Sequence, residues 1–278
     1  MLTGLIAFVL IAYALESAFT PDVPVALSPV SALLMAGVPA MLWLGYFHSQ
    51  DRVEPEPHRY VLGCYLLGGF VAAPTAAWLV ALTGPASQGV GMHALSAERW
   101  LFAIAIVGLA QEACKFVVVR YTLYLSPEFD EPLDGIIYMS AAGIGFATYE
   151  SLEYLLGSGG EIYLSAAAAQ CVVTTLAHAS FAGVMGFAMG RAKFRPSSAP
   201  RKSVTLLVGL VAAAALNGCF QMIMDALNVQ GLDISPWKRV GSMFGFAAGV
   251  FIITSILMRR LLAISPHRPQ EEDGGSDE

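Results

Sequence analysis

The apolar residues of this chain come in blocks of about twenty, joined by short polar links, and that is the length a helix needs to cross a hydrocarbon core about 30 Å thick. In lipid every backbone N–H and C=O must find a partner within the chain, so such segments fold as helices and the fold class is all-α. The blocks are continuous and lack the amphipathic spacing of helices that cover a water-soluble core. With 56% hydrophobic and 13% charged residues and a mean hydropathy of +0.63, the sequence predicts a polytopic membrane protein in contact with a lipid bilayer.

Eight helices are predicted, at about residues 3–19, 27–47, 60–82, 100–125, 136–156, 163–189, 204–227 and 240–262. The first run, Gly4 to Phe19, lacks the basic start and small-residue cleavage site of a signal peptide and is read as a membrane helix. Together these make one transmembrane domain over residues 1–264, with a disordered acidic tail at 265–278 that ends in "PQEEDGGSDE". The net charge of −6 lies mostly in links and tail, and nothing in it points to nucleic acid. Cys64, Cys114, Cys171 and Cys219 all fall inside apolar runs without paired spacing, which argues against a disulfide framework.

Orientation follows from the basic residues. Arg191, Lys193, Arg195, Arg201 and Lys202 form the densest cluster, and Arg259 and Arg260 follow the last apolar run. Both places are expected to be cytoplasmic. An eight-helix chain then has both termini in the cytoplasm, with "SQDRVEPEPHR" and "SPEFDEPLD" on that side and the loop Thr83 to Glu98 outside. The spacing of Gly241, Gly245 and Gly249 reads as helix packing.

Against this background the polar residues inside the runs stand out, because a buried ionisable group in a bilayer costs several kcal/mol unless paired or lining a wet cavity. The fourth run carries Gln111, Glu112, Lys115 and Arg120; the fifth Glu150 and Glu153; the sixth Thr174, Thr175 and His178; the seventh Asn217, Gln221 and Asp225. At a rise of about 1.5 Å per residue, Glu112 lies roughly 18 Å from the outer end of its span, Glu150 about 10 Å, His178 about 22 Å and Asn217 about 15 Å. Glu112 and Lys115 share a helix face, as do Phe146 with Glu150 and Asn217 with Gln221. Two carboxylates and an imidazole from three helices are the ligand types of a metal centre such as zinc, where bound water becomes a nucleophile and a nearby Glu takes its proton. Blander readings are a hydrogen bond across a helix interface for His178, a register-fixing ion pair for Glu112 and Lys115, solvated ends for Glu153 and Asp225, and snorkelling for Arg120.

Read in order, the segments resemble the PrsW family of intramembrane metalloproteases, within the wider group that includes the type II CAAX prenyl proteases. "DRVEPEP" (Asp51 to Pro57) is similar to that family's acidic Glu-Pro loop. "FDEPLDGIIYMSAAGIGFATYESLEYL" matches its Asp-Gly start, at Asp134 and Gly135, and its FxxxE helix, at Phe146 and Glu150. "LAHASFAGVMGFAMGRAKF" looks like its histidine helix, with His178, and "ALNGCFQMIMD" occupies the place of its last motif helix. The resemblance spans about residues 45–227. It implies a protease of the bacterial cytoplasmic membrane that cleaves membrane-anchored proteins. Glu112, Lys115, Glu150 and His178 would be the catalytic residues, and Glu112, Glu150 and His178 the ligands of a metal, zinc by implication.

Three positions depart from the family pattern in their chemistry, and Ser151, where Asn is common, is a milder change. Gln111 stands where an EExxK motif has its first Glu, and Asn217 and Gln221 stand where HxxxD or HxxxN is usual. An amide keeps size and hydrogen bonding but offers neither a general base nor a good zinc ligand. The sequence therefore supports three readings: a metal-dependent intramembrane endopeptidase, a catalytically silent relative that binds transmembrane helices or other membrane proteins, and a proton-coupled transporter using Glu112, Lys115 and Glu150 as a relay.

Overall fold

The computed structural model describes residues 1–19, 23–51, 55–83, 97–157, 162–229 and 236–263. The acidic tail, most of the Thr83 to Glu98 loop and Arg52 to Glu54 of the Glu-Pro loop lie outside the described residues, as does the side chain of Asp225. Among the described residues the chain forms helices α1 (Leu2–Phe19), α2 (Pro29–His48), α3 (His58–Ala81), α4 (Trp100–Thr122), α5 (Asp134–Gly157), α6 (Leu164–Phe194), α7 (Ala199–Val229) and α8 (Pro236–Leu262). The extended pairing among them is a single bridge between Val25 and Ile162.

Local chemistry accounts for several helix features. The α2 helix starts at Pro29 after Ser28, whose hydroxyl accepts from the Ser31 N–H at 3.2 Å, so an orphan donor is satisfied where a proline costs nothing. In α3 the turn Gly68–Ala72 is π-helical and runs directly into Pro74. Proline has no N–H and clashes with the carbonyl four residues back, and a widened turn relieves both problems. A second π-helical turn, Ala103–Gly108, lies just before Gln111 and Glu112 in α4 and shifts the face those residues present.

Seven of the helices are long and apolar enough to span a membrane, and α5 falls outside that set. The reason is position. The α5 helix packs against α2, α3, α4 and α6, and nearly every residue from Asp134 to Thr148 is buried, so its Gly, Ser, Tyr and Thr residues face protein. The α6 helix is similarly central: 83% of its most apolar window is buried, against 11% for α1. Lipid-facing side chains come from the periphery, among them Leu10, Leu33, Phe70, Trp78, Val208 and Ile253.

The two central helices approach at backbone distance. A Cβ on Gly143 of α5 would lie 2.4 Å from the carbonyl oxygen of His178, so this glycine sets how deeply the histidine helix sits. Where α3 crosses α5, a Cβ on Gly145 would meet the Tyr65 carbonyl. The expected packing role of Gly241, Gly245 and Gly249 is not realised within the chain: a Cβ on any of them would meet nothing within 4 Å.

Candidate active site

The polar residues predicted to share one level do meet, although their depths counted along the sequence spread over about 12 Å. Helices α4, α5, α6 and α7 surround them. Glu112, Lys115, His178 and Asn217 are wholly buried and Gln111 nearly so. The Lys115 ammonium donates to Glu112 Oε1 at 2.7 Å and contacts His178 Nδ1 at 2.9 Å. Asn217 Nδ2 donates to Glu112 Oε1 at 2.7 Å and to Gln111 Oε1 at 2.9 Å. Gln111 Nε2 in turn donates to Glu150 Oε1 at 2.8 Å. The chain of contacts Glu150, Gln111, Asn217, Glu112, Lys115, His178 thus returns toward its start, because His178 Nε2 lies 2.7 Å from Glu150 Oε2.

That closing contact pairs the imidazole with the Glu150 carboxylate, although the alignment at Nε2 is poor. Glu112 Oε2 and Asn217 Oδ1 are buried without a hydrogen-bond partner. Unspent buried polar atoms carry a desolvation cost of about 1–3 kcal/mol each, so Glu112 Oε2 and Asn217 Oδ1 are costly to leave as they stand. Aromatic rings enclose the imidazole: Phe146 stacks on it with centroids 5.4 Å apart, and Phe181 and Phe220 stand edge-on at 5.9 and 6.3 Å. The same Phe146 ring takes the Lys115 ammonium at 4.3 Å from its centroid. Phe181 and Phe220 were not legible as site residues, because an aromatic at helical spacing reads as core.

Glu150 is the member that reaches open space, with about a quarter of its side chain exposed (24%). It borders a cavity of ≈130 Å³ lined also by Ser151, Tyr154, Gln170, Thr174 and Gln221. Gln221 therefore lies at the site's mouth, and Thr174, one turn before His178, faces the cavity with it. Arg239 of α8 donates to the Tyr154 hydroxyl and to Gln170 Oε1 at the rim. The other polar residues fall elsewhere: Glu153 is exposed, and Arg120 stacks on Tyr124 at 4.3 Å from the ring centroid.

The membrane setting, the buried Glu/Lys/His layer and its cavity find their counterpart in known sequences. Residues 56–255, well over half of the chain, match the PrsW family intramembrane metalloprotease family. Protease PrsW of Geobacillus kaustophilus (strain HTA426) is 37% identical over 164 residues, covering 59% of this chain and 68% of that protein. Protease PrsW of Bacillus subtilis (strain 168) is 30% identical over 198 residues, covering 71% and 84%.

The chain belongs to the PrsW family.

As a PrsW family member it is an integral protein of the bacterial cytoplasmic membrane, of the intramembrane protease type, with a membrane-embedded protein as its class of substrate. No solved structure matches the chain. A metalloprotease family implies a metal. The donors fit one in kind, since Glu112 Oε2 and Asn217 Oδ1 are unspent and His178 Nε2 meets the Glu150 carboxylate. In spacing the fit is looser. Among the described residues, the acidic and imidazole groups whose ligand atoms gather within 4.8 Å of one another, three at a time, lie elsewhere, and Lys115 Nζ stands between Glu112 and His178.

Elsewhere means the far end of the bundle. Asp134 and Gly135 are about 24 Å along α5 from Glu150 and take no part in the polar layer. Gly135 seats α5 on α6, where a Cβ would lie 2.3 Å from the Gly186 carbonyl oxygen. Asp134 sits with Asp51, Glu56, Asp130 and Glu131, of which all but Asp130 are buried. The Tyr138 hydroxyl donates to Glu56 Oε2, and the Glu56 carbonyl contacts His48 Nε2 at 2.7 Å. Burial, opposed by hydrogen bonds from Tyr138 and Asp134 and helped by the charges of Asp130 and Asp51, pushes the Glu56 carboxyl up to about 7.

Proposed function

We propose that this chain is an active intramembrane endopeptidase whose catalytic layer is Glu112, Lys115, Glu150 and His178, with a metal ion, zinc by the chemistry of the donors, held by His178 and Glu150 and reached by Glu112. The observation that carries this reading is that Glu150 belongs at once to the buried charged layer and to the wall of a ≈130 Å³ cavity. A space of that size holds a few waters or an unwound stretch of substrate backbone beside the reacting groups. A bound ion would supply Lewis acidity and an acidified water at this position.

The protein's own groups have separable tasks. Glu112, gripped at Oε1 by Lys115 and Asn217, keeps Oε2 free to hold the proton taken from the attacking water. Lys115 balances the charge of Glu112 in a medium where an unpaired carboxylate would be neutralised. Gln111 cannot accept that proton; it orients Glu150 by donating to Oε1, and Asn217 fixes the Gln111 amide. Phe146, Phe181 and Phe220 keep bulk water from the imidazole.

A second reading, a silent relative that binds transmembrane helices without cutting them, is favoured by one feature. The Lys115 ammonium and the two amides satisfy much of the layer's hydrogen bonding by themselves, and Gln111, Asn217 and Gln221 replace residues with stronger metal or base chemistry. The deciding experiment co-reconstitutes the protein with single-pass membrane proteins carrying tags at both ends. Cleavage that Glu112→Gln and His178→Ala each abolish supports the protease; capture of intact substrate without fragments, unchanged by Glu112→Gln, supports the binder.

A further inference from the structure

Three cationic side chains outside the catalytic layer come together where α4 and α6 finish and α7 begins. Arg120 is in the last turn of α4, Lys193 is next to the end of α6 and Lys202 is in the first turn of α7. Lys193 is about 22 Å along α6 from His178. The three line one cavity of ≈410 Å³, and among the described residues no acidic side chain lines it with them. The ring of Tyr124 holds two of them close: Arg120 Cζ lies 4.3 Å and Lys193 Nζ 5.6 Å from its centroid. Lys193 is engaged within the chain, donating to the carbonyls of Tyr124 and Phe129 and feeling Asp134 and Asp130 at longer range. Arg120 keeps an unspent donor, because its Nη1 is buried without a hydrogen-bond partner. A buried guanidinium N–H gains most from a charged acceptor.

We propose that this cavity binds the phosphate group of an anionic phospholipid, with Arg120 as the main contact and Lys202 beside it. The planar guanidinium offers paired N–H groups that match phosphate oxygens, and the ammonium adds a second charge. Ala199, at the start of α7, lines the same space, so the positive end of that helix adds to the field. All three cations stand at the ends of membrane-spanning helices, the level at which lipid headgroups lie. The walls favour a lipid over free phosphate. Leu125 and Leu206 line the cavity with the cations, and Leu125 is mostly exposed (77%), so an acyl chain can run over them toward the bilayer. The neighbouring cavity around Arg191, Arg195 and Arg201 has no leucine in its lining. A lipid held here ties the end of α4 to the start of α7, the helices that carry Glu112 and Asn217. The inference does not rest on the protease reading, because none of these residues belongs to the layer.

The test follows thermal unfolding of the delipidated full chain in uncharged detergent. It is titrated separately with short-chain phosphatidylglycerol, with phosphatidylcholine of the same chain length and with inorganic phosphate, all at one ionic strength. The expected result is a saturable rise in Tm of several degrees with phosphatidylglycerol and little change with the other two. In Arg120→Gln the midpoint of that rise should move to about tenfold higher lipid concentration. Lys202→Gln, a change in a half-buried side chain, should move it in the same direction by less, and serves where Arg120→Gln folds poorly. Arg195→Gln, with the same loss of charge outside the cavity, should leave the midpoint where it is. An equal rise with phosphatidylcholine, or an equal shift in Arg195→Gln, would overturn the proposal by showing no selection for charge or diffuse attraction to the basic end. So would the absence of a saturable rise, or a midpoint unmoved in both Arg120→Gln and Lys202→Gln. Inorganic phosphate acting as strongly as the lipid would overturn the lipid as the source of the phosphate group.

Discussion

The layer of Glu112, Lys115, Glu150 and His178 and the acidic junction around Asp134 are both largely buried, both polar and both assembled from distant parts of the chain, but their charges are arranged on opposite plans. In the layer, Glu112 and Glu150 are offset by Lys115, and the amides of Gln111 and Asn217 fill the spaces between charges. In the junction, four carboxylates gather around that of Asp134, and the nearby Lys193 ammonium is bound to backbone carbonyls. Opposite charges side by side offset part of the cost of burial in low dielectric, whereas carboxylates gathered together repel one another. Neutralising a charge should therefore have opposite effects at the two places.

The largest effect is expected at Lys115. Lys115→Met leaves Glu112 buried without its cation and should cost about 3–5 kcal/mol in denaturant unfolding, and adding Glu112→Gln to the same chain should recover most of it. If the single change were neutral, the layer would not be a balanced set. Next, Gly143→Ala forces a Cβ toward the His178 carbonyl oxygen, 2.4 Å away as placed, and should cost about 1–3 kcal/mol while lowering cleavage of a membrane substrate. Unchanged stability and turnover would mean that α6 moves freely against α5.

Gln111→Glu puts an acceptor where an amide now donates to Glu150. In chelated protein it should cost about 1–2 kcal/mol, a loss that metal loading should shrink; a loss equal in both conditions would argue against a metal in the layer. The smallest effect has the reverse sign: Glu56→Gln removes one of several like charges from a carboxyl held up to about 7 and should raise stability by up to about 1 kcal/mol at pH 8. A loss of more than that would show the junction to be balanced after all.

The α5 helix was read as a membrane span, and seven of the described helices, without it, are apolar enough to cross. Otherwise the helices and the polar residues that meet between α4 and α7 were legible in the sequence, because lipid makes helix length and polar exceptions into strong signals. The depths of those exceptions were less so. Counted from the span ends, Glu150 and His178 differ by about 12 Å, yet they touch, since their helices are of unequal length, 24 and 31 residues, and the ends do not share one level. Hydrogen-bond direction was not legible at all: nothing in "QEACK" says that Lys115 reaches across to His178 or that Gln111 faces Glu150. The acidic junction was hidden for a different reason. "DRVEPEP" and "DEPLDG" read as separate links, and their meeting is a long-range contact with no period to betray it. Phe146 at its i, i+4 spacing from Glu150 was readable, whereas the outward-facing Gly241, Gly245 and Gly249 were read as packing that the chain itself does not use.

The most direct test of the central claim is transition-metal content per chain in detergent-purified protein, measured beside His178→Ala. About one zinc or similar ion per wild-type chain, absent from His178→Ala, is the predicted result. Metal-free wild type, or equal metal in both, would contradict a metal centre at His178 and leave the layer as a self-balanced network without proteolytic chemistry.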